Sequence, residues 1–298
     1  MPDTRAPLPS AADRRCRLRA AVEQRAAVLA PGAGNALTAR IIEDCGFDVV
    51  YVTGAGIANT ALGVPDIGLV TMTELAQTVA AIGEVCALPL VVDIDTGFGN
   101  AINAHRTMRV IERAGAAAVQ IEDQVFPKRC GHFAGKAVIP LDEMTAKIRA
   151  VADAREDAET LIIGRTDAAV VDGLDAALER AEAMIAAGAD LTFVEAPRSE
   201  DELARIARLP VPQLANLVVG GKTPMLPRDR LAEMGFALVL YANAPLQAAM
   251  HAMHGVLTAL HRDGDLSAVT DRLAGFEERQ RLVGKPAFDA LEARYRGG

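Results

Sequence analysis

The stretch ERAGAAAVQIED, residues 112–123, contains one complete unit of the fold in miniature. Charged residues close a helical pattern, a glycine stops it, and an apolar run, AAVQIE (117–122), breaks off at two carboxylates, Glu122 and Asp123. Glycine ends a helix readily because it enters left-handed backbone without a Cβ penalty. The same succession returns in IAAGADLTFV, residues 185–194. Short β-branched runs recur at 26–30, 48–52, 89–94, 117–122, 160–165, 191–196, 211–217 and 237–242. Amphipathic segments lie between them. In TMTELAQTVAAIGEVCA (71–87), Leu75, Val79, Ile82 and Val85 keep helical spacing.

Continuous apolar strands alternating with helices predict a parallel sheet covered on both faces. Eight such units with no linker-like composition between them predict an α/β fold of the closed (β/α)8, TIM-type barrel class, with a doubly wound sheet as the alternative. The expected division is a barrel with an N-terminal helical extension over 1–262, then a helical appendage over 263–298. That appendage either covers the barrel or packs on a neighbouring subunit.

Composition narrows the function. The 298-residue chain carries a formal net charge of −8, only 4% aromatics and no Trp. A general grip on a phosphate backbone and a stacking platform for bases are both disfavoured, so nucleic acid is not an expected partner. The longest apolar stretches contain Gly, Asp or Glu and fall short of a membrane span. Cys16, Cys45, Cys86 and Cys130 are widely spaced with no C-x-x-C. That pattern fits a reducing compartment better than a disulfide framework or a zinc knuckle. MPDTRAPLPSAADRRCRLRA is Arg-rich but holds Asp3 and Asp13 and lacks an apolar core, so a cytoplasmic protein is expected.

A barrel's active site forms at the C-terminal ends of its strands. The expected strands end on Tyr51 and Thr53, on Asp93 and Asp95, on Glu122 and Asp123, on Arg165 and Asp167, then on Glu195, Asn216 and Asn243. Core packing alone does not require this, although polar residues also simply begin loops. Asp93 and Asp95 reach one cavity if the strand ends or twists there. With Glu122 they make an all-oxygen cluster suited to a hard cation, Mg²⁺ or Mn²⁺, and acids on adjacent strands would repel without one. No His or Cys joins them at zinc-ligand spacing. The glycine-rich VTGAGIAN and TGFGN are not dinucleotide fingerprints, and VVGGKTP resembles a phosphate loop only superficially. His251 and His254 form H-x-x-H without a third ligand.

The segment PKRCGHFAGK (127–136) places Cys130 beside Lys128, Arg129 and His132, between Gly131 and Gly135. A lone cysteine is most often a small buried hydrophobe. Neighbouring cations lower a thiol's pKa, however, and flanking glycines permit loop movement. The residues leave open whether such a thiol is a nucleophile or an acid/base.

Taken together, YVTGAG, PDIG, DIDTGFGN, IEDQVFPKRCGH and GRTDA resemble the isocitrate lyase/phosphoenolpyruvate mutase superfamily, in order and spacing from about residue 27 to 253. The resemblance implies the barrel, Mg²⁺, a small 2-oxo or 2-hydroxy carboxylate substrate, and a homotetramer whose last helices exchange between subunits. It implies Asp93 and Asp95 as metal carboxylates, with Asp66 and Glu122 holding metal waters. Thr53, Gly54 and Ala55 would bind the α-carboxylate, and Arg165, Glu195 and Asn216 would line the same pocket. Cys130 on a lid would protonate the carbanion left by C–C cleavage. Retro-aldol chemistry further asks for a base, Tyr51 or a metal-activated group, and for donors to the enolate among Arg165, His132 and Gly131, with Lys128 counted in the catalytic set.

Phosphonomutases and oxaloacetate decarboxylases of the superfamily generally lack the C-G-H cysteine, and a purely binding barrel would have no reason to hold Asp93, Asp95, Glu122 and Cys130 together. Where methylisocitrate lyases carry a hydroxyl and an acid after Asn216, this chain has Val218 and Val219; their arginine after strand eight is absent near Gln247 and Ala248. The expected reaction is therefore Mg²⁺-dependent cleavage of a 2-hydroxydicarboxylate of the alkylmalate or dimethylmalate type. An oxaloacetate hydrolase or decarboxylase, or a phosphonomutase, is the alternative.

Overall fold

The computed structural model describes residues 8–128 and 135–296. Eight parallel strands close a barrel in sequence order. They are β1 (Val28–Ala33), β2 (Val50–Val52), β3 (Leu90–Asp93), β4 (Ala118–Glu122), β5 (Leu161–Thr166), β6 (Leu191–Val194), β7 (Gln213–Asn216) and β8 (Phe236–Tyr241). Closure comes from β1 on β8, where Val28 faces Leu238 and Pro31 faces Tyr241.

β1 runs later than the 26–30 expected, because the sequence APGAG reads as a turn. Pro31 and Gly32 are instead part of the strand, and the glycine is there for space. A Cβ on Gly32 would lie 1.8 Å from the Ala242 carbonyl oxygen. The glycine is what lets the β1–β8 seam close.

Leu18, Ala30, Tyr51, Val91, Ile163, Phe193 and Leu240 belong to the cluster inside the barrel. Two further clusters fill the space between strands and helices, one around Val92, Ile111 and Ile148, the other around Ala181, Leu203 and Val239. The helix Ala11–Glu23, capped by Ser10 and Asp13, closes the N-terminal end with Leu18 and Val22. Its buried arginines satisfy carbonyls that helix ends leave open. Arg14 donates to Cys86 O at 3.1 Å, and Arg15 donates to Glu112 O at 2.8 Å and Ala116 O at 3.1 Å. With that end plugged, the strands' C-terminal ends form the open face.

After β8 comes the helix Ala244–Asp263, which stops at Gly264 in left-handed backbone. Ser267–Arg272, Phe276–Leu282 and Lys285–Arg296 follow. Arg281 pairs with Asp44 at 2.6 and 2.7 Å, so this segment touches the barrel's outer helices. Among the described residues no helix is long and apolar enough to cross a membrane.

Candidate active site

β3 ends at Asp93 and the chain turns sharply. Asp95 (φ 48°), Gly97 (φ 86°) and Phe98 (φ 58°) are all left-handed. Such backbone costs non-glycine residues about 1–3 kcal/mol apiece and persists only where neighbours hold it. Here Asp95 N donates to Asp93 Oδ1 at 3.1 Å, and Glu122 N donates to Asp95 O at 2.9 Å. Buried Lys147 donates to Thr96 O at 3.1 Å, and Thr107 Oγ1 to Gly97 O at 3.2 Å. The turn brings both aspartates to the open face.

Lys128 reaches into these acids. Its Nζ lies 2.5 Å from Asp66 Oδ1 and 2.8 Å from Asp95 Oδ1. Burial alone would lower the ammonium's pKa, yet Asp95, Asp93, Glu122 and Asp66 together raise it well above the usual value. For Asp95, burial outweighs Lys128 and pushes the carboxyl up to about 6. Glu122 is likewise raised by burial, more than Arg165 lowers it, and its Oε1 is buried with no hydrogen-bond partner among the described residues.

Arg165 is the second cation. Its Nε lies 3.2 Å from Glu122 Oε2 and 3.0 Å from Asp167 Oδ2, and its Nη2 lies 3.3 Å from Glu195 Oε2. The guanidinium stacks over Phe193, 5.1 Å from the ring centre. Asp167 also takes Lys136 at 2.5 Å. Burial would raise the Asp167 carboxyl, but Arg165 and Lys136 more than offset it and hold it below its ordinary value. Asn216 donates to Glu195 at 3.4 Å.

The resulting cavity is small, about 40 Å³, and is lined by Tyr51, Thr53, Ala55, Asp66, Asp93, Glu122, Lys128, Arg165, Glu195 and Asn216, with Phe193, Val218, Leu240, Ala242 and Asn243. Gly54 borders the same acids: a Cβ there would lie 3.3 Å from Asp95 Oδ1 and 3.8 Å from Asp93 Oδ2. The candidates that can be placed therefore converge. Cys130, Gly131 and His132 lie outside the described residues. Burial, and then Asp93, raise the Tyr51 phenol well above its usual pKa, which keeps it a protonated donor.

Gln120, Lys136 and the pairing of Lys136 with Asp167 escaped the sequence reading. Gln120 is fully buried, with its amide 3.5 Å from Asp93 Oδ1; a polar residue two before Glu122 on the same strand was the available signal. Lys136 and Asp167 brace Arg165, and nothing in the sequence joined them. Asp123 turns away from the cavity to accept from Thr166 Oγ1 at 2.7 Å and Asp167 N at 2.9 Å. Val219 is solvent-exposed, so only Val218 of that pair bears on the pocket. His251 and His254 sit exposed on the helix after β8.

Among the described residues, no three His, Cys, Asp or Glu side chains are grouped so as to hold a metal ion. The donor chemistry nevertheless suits a hard divalent cation. Asp93 and Asp95 supply carboxylate oxygens to one spot, Mg²⁺ uses only one or two carboxylates and keeps waters, and Glu122 Oε1 is buried without a hydrogen-bond partner among the described residues.

Residues 18–261 match the family model described as phosphoenolpyruvate phosphomutase. The chain belongs to the phosphoenolpyruvate mutase family. Within the wider isocitrate lyase/phosphoenolpyruvate mutase superfamily, the 2,3-dimethylmalate lyase of Eubacterium barkeri is 42% identical over 283 residues, 95% of this chain and 98% of the relative. The 2-methylisocitrate lyase of Aeropyrum pernix is 43% identical over 277 residues, 93% of this chain and 89% of the relative. A solved 2,3-dimethylmalate lyase superposes with a TM-score of 0.89 at 32% identity, covering 98% of this chain and 97% of that one. A solved phosphonopyruvate hydrolase complex with oxalate and Mg²⁺ does so with a TM-score of 0.85 at 30% identity, covering 95% and 99%. The family is one of enzymes, and the two relatives of Eubacterium barkeri and Aeropyrum pernix are named lyases.

Proposed function

We propose that the protein is a Mg²⁺-dependent carbon–carbon lyase that splits a substituted malate into a 2-oxo acid such as pyruvate and a second carboxylate. The observation that carries this reading is a cavity lined by both charged and apolar side chains. Asp93, Glu122, Lys128 and Arg165 line it with charge, while Val218, Leu240 and Ala242 line it without any. The first suits a 2-hydroxy acid and the second an alkyl substituent. The relatives named 2,3-dimethylmalate lyase and 2-methylisocitrate lyase support the reaction class. The methylisocitrate reading fits less well, because a third carboxylate would meet Val218 where that subfamily carries polar groups. An oxaloacetate hydrolase remains the nearest alternative chemistry.

In this reading Asp93 and Asp95 hold the metal, with Asp66 and Glu122 on its waters; the phosphonopyruvate hydrolase complex with oxalate and Mg²⁺ supports the choice of metal. When bound, the metal supplies Lewis-acid polarisation of the forming 2-oxo acid. Thr53, Gly54 and Ala55 open a short helix (Gly54–Ile57), whose first amides are not used within the helix and take the substrate's α-carboxylate. Tyr51, held protonated, donates to the substrate. The hydroxyl proton leaves to a buried carboxylate, for which Glu122 Oε1 is both unpaired and of raised pKa. As C2 becomes a carbonyl, the C2–C3 bond breaks and its electron pair passes to C3. Arg165 with Asn216 and Glu195 orients the enolate of the departing carboxylate, helped by Gly131 and His132. Cys130 then delivers a proton to C3; this role rests on the K-x-C-G-H motif.

The cysteines support a cytoplasmic setting, with Cys16, Cys45 and Cys86 all free. Residues 263–298 form an appendage that joins subunits. Met250, Met253, Leu257 and Leu260 make one exposed apolar stripe along Ala244–Asp263, and Phe276, Phe288 and Tyr295 add to the uncovered surface, which supports a homotetramer.

The test is product analysis with Mg²⁺ on 2,3-dimethylmalate, alkylmalates, 2-methylisocitrate, oxaloacetate and phosphonopyruvate, with Cys130→Ser alongside. Pyruvate from a malate-type substrate, lost in the variant, is expected. Turnover of oxaloacetate or phosphonopyruvate alone, untouched by the substitution, would move the protein to the decarboxylase or mutase branch.

A further inference from the structure

We propose that Lys128 and the divalent metal are alternative occupants of one position, so that metal entry turns the lysine out of the acid cluster. The inference rests on the reading of Asp93 and Asp95 as metal carboxylates and adds a device to it. Three atoms surround a single spot: the Cβ position of Gly54 lies 3.3 Å from Asp95 Oδ1, 3.8 Å from Asp93 Oδ2 and 3.9 Å from Lys128 Nζ. The ammonium bridges Asp95 to Asp66, the residue assigned to a metal water. It is thus where a hydrated cation bound by these same carboxylates would have to sit.

Space gives the second argument. The cavity holds about 40 Å³, room on the order of one or two waters. Sites that enclose a small organic ligand run to roughly 300 Å³ or more. Lys128 is 4% exposed, so its side chain fills the pocket rather than standing at its mouth. A divalent ion cannot enter on top of it, on grounds of volume and of like charge. Exchange solves both problems. The lysine keeps the acids neutralised until the metal arrives, then leaves, enlarging the cavity and freeing an ammonium to pair with a carboxylate of the incoming substrate.

An internal competitor weakens apparent affinity by the fraction of molecules it has not blocked, so a lysine seated nine-tenths of the time costs about tenfold in apparent Kd. Calorimetric titration of metal-free protein with Mg²⁺ should therefore give Lys128→Met an affinity about tenfold tighter than the parent. A second measurement uses the unaltered protein: acylation of Lys128 by an amine-reactive ester, read by peptide mass spectrometry, should rise when Mg²⁺ is added. Equal or weaker Mg²⁺ binding by the variant overturns the exchange, as does acylation that stays constant or falls, and in either case the metal reading stands. If neither protein binds Mg²⁺, the metal reading fails and the exchange with it.

Discussion

Asp167→Asn is the most informative perturbation of the framework behind the site. The carboxylate is fully buried and serves two cations. Oδ2 takes Arg165 Nε at 3.0 Å, while Oδ1 takes Arg165 Nη2 at 3.2 Å and Lys136 Nζ at 2.5 Å. Asparagine keeps the shape but offers one acceptor and an NH2 group to three donors. Arg165 retains Glu122 and Glu195; Lys136, 1% exposed, loses the only ion-pair partner it has among the described residues. Stranding one member of a buried pair costs about 3–5 kcal/mol. With Arg165 still partnered, the lower end applies, about 3 kcal/mol, or roughly 6–12 °C in Tm for a chain of this size. The pH dependence has a definite sign. Asp167 is held below its ordinary pKa by Arg165 and Lys136 against burial, so its contribution is present above the unfolded value and is lost as pH falls through the native one. Thermal melts of the two proteins should differ by a constant amount from neutrality down to about pH 5, and the gap should close below about pH 4. An asparagine variant as stable as the parent, or a gap that widens on acidification, would refute this account of the ion pairs.

Gly32→Ala should abolish soluble, folded protein or cost about 3 kcal/mol or more, because the new Cβ meets the backbone of Ala242 rather than a side chain that can turn away; expression yield and a melt decide it. A maleimide should modify exposed Cys16 and Cys45 in the native protein and leave Cys86 untouched, since burial pushes that thiol up to about 11; peptide mapping before and after unfolding checks this. Leu257→Asp, in the middle of the exposed stripe on Ala244–Asp263, should shift the protein to a smaller species by sedimentation while its circular dichroism stays the same; an unchanged sedimentation coefficient counts against that face as the subunit contact.

How much of this was legible in the sequence depends on the range of the interaction. Glu122 at the end of AAVQIE announces itself, since an apolar run buried on both faces has no local use for an acid. The strand–helix alternation gave the barrel for the same reason: period and punctuation are local. APGAG misled, because a proline and two glycines are normally turn chemistry, and the need for Gly32 comes from Ala242, two hundred residues away and invisible in its neighbourhood. The pairing of Lys136 with Asp167 was missed for a related reason: it exists only once β4 and β5 lie side by side. Val219 was weighed with Val218 because the methylisocitrate lyase pattern has a hydroxyl and an acid after Asn216, but the chain turns there and leaves Val219 exposed.

Charge decides which substrates the site can accept. Asp66, Asp93, Asp95, Glu122 and Glu195 face Lys128 and Arg165 around the cavity, so carboxylates outnumber cations before any substrate arrives. Each like-charged pair at about 4 Å costs roughly 4 kcal/mol at an effective dielectric constant near 20. The protein carries this by letting burial raise Asp95 to about 6 and Glu122 well above its ordinary value. One divalent cation brings about the charge that a dicarboxylate then balances. A third carboxylate would have to be met by the rest of the lining, where Val218, Leu240 and Ala242 have no charge to offer and Asn216 and Asn243 offer only neutral amides. Burying it there unpaired would cost several kcal/mol, against the ~1–3 kcal/mol gained when an alkyl group fills an apolar wall. Under the proposed reading, the same arithmetic favours an alkyl-substituted malate over a tricarboxylate.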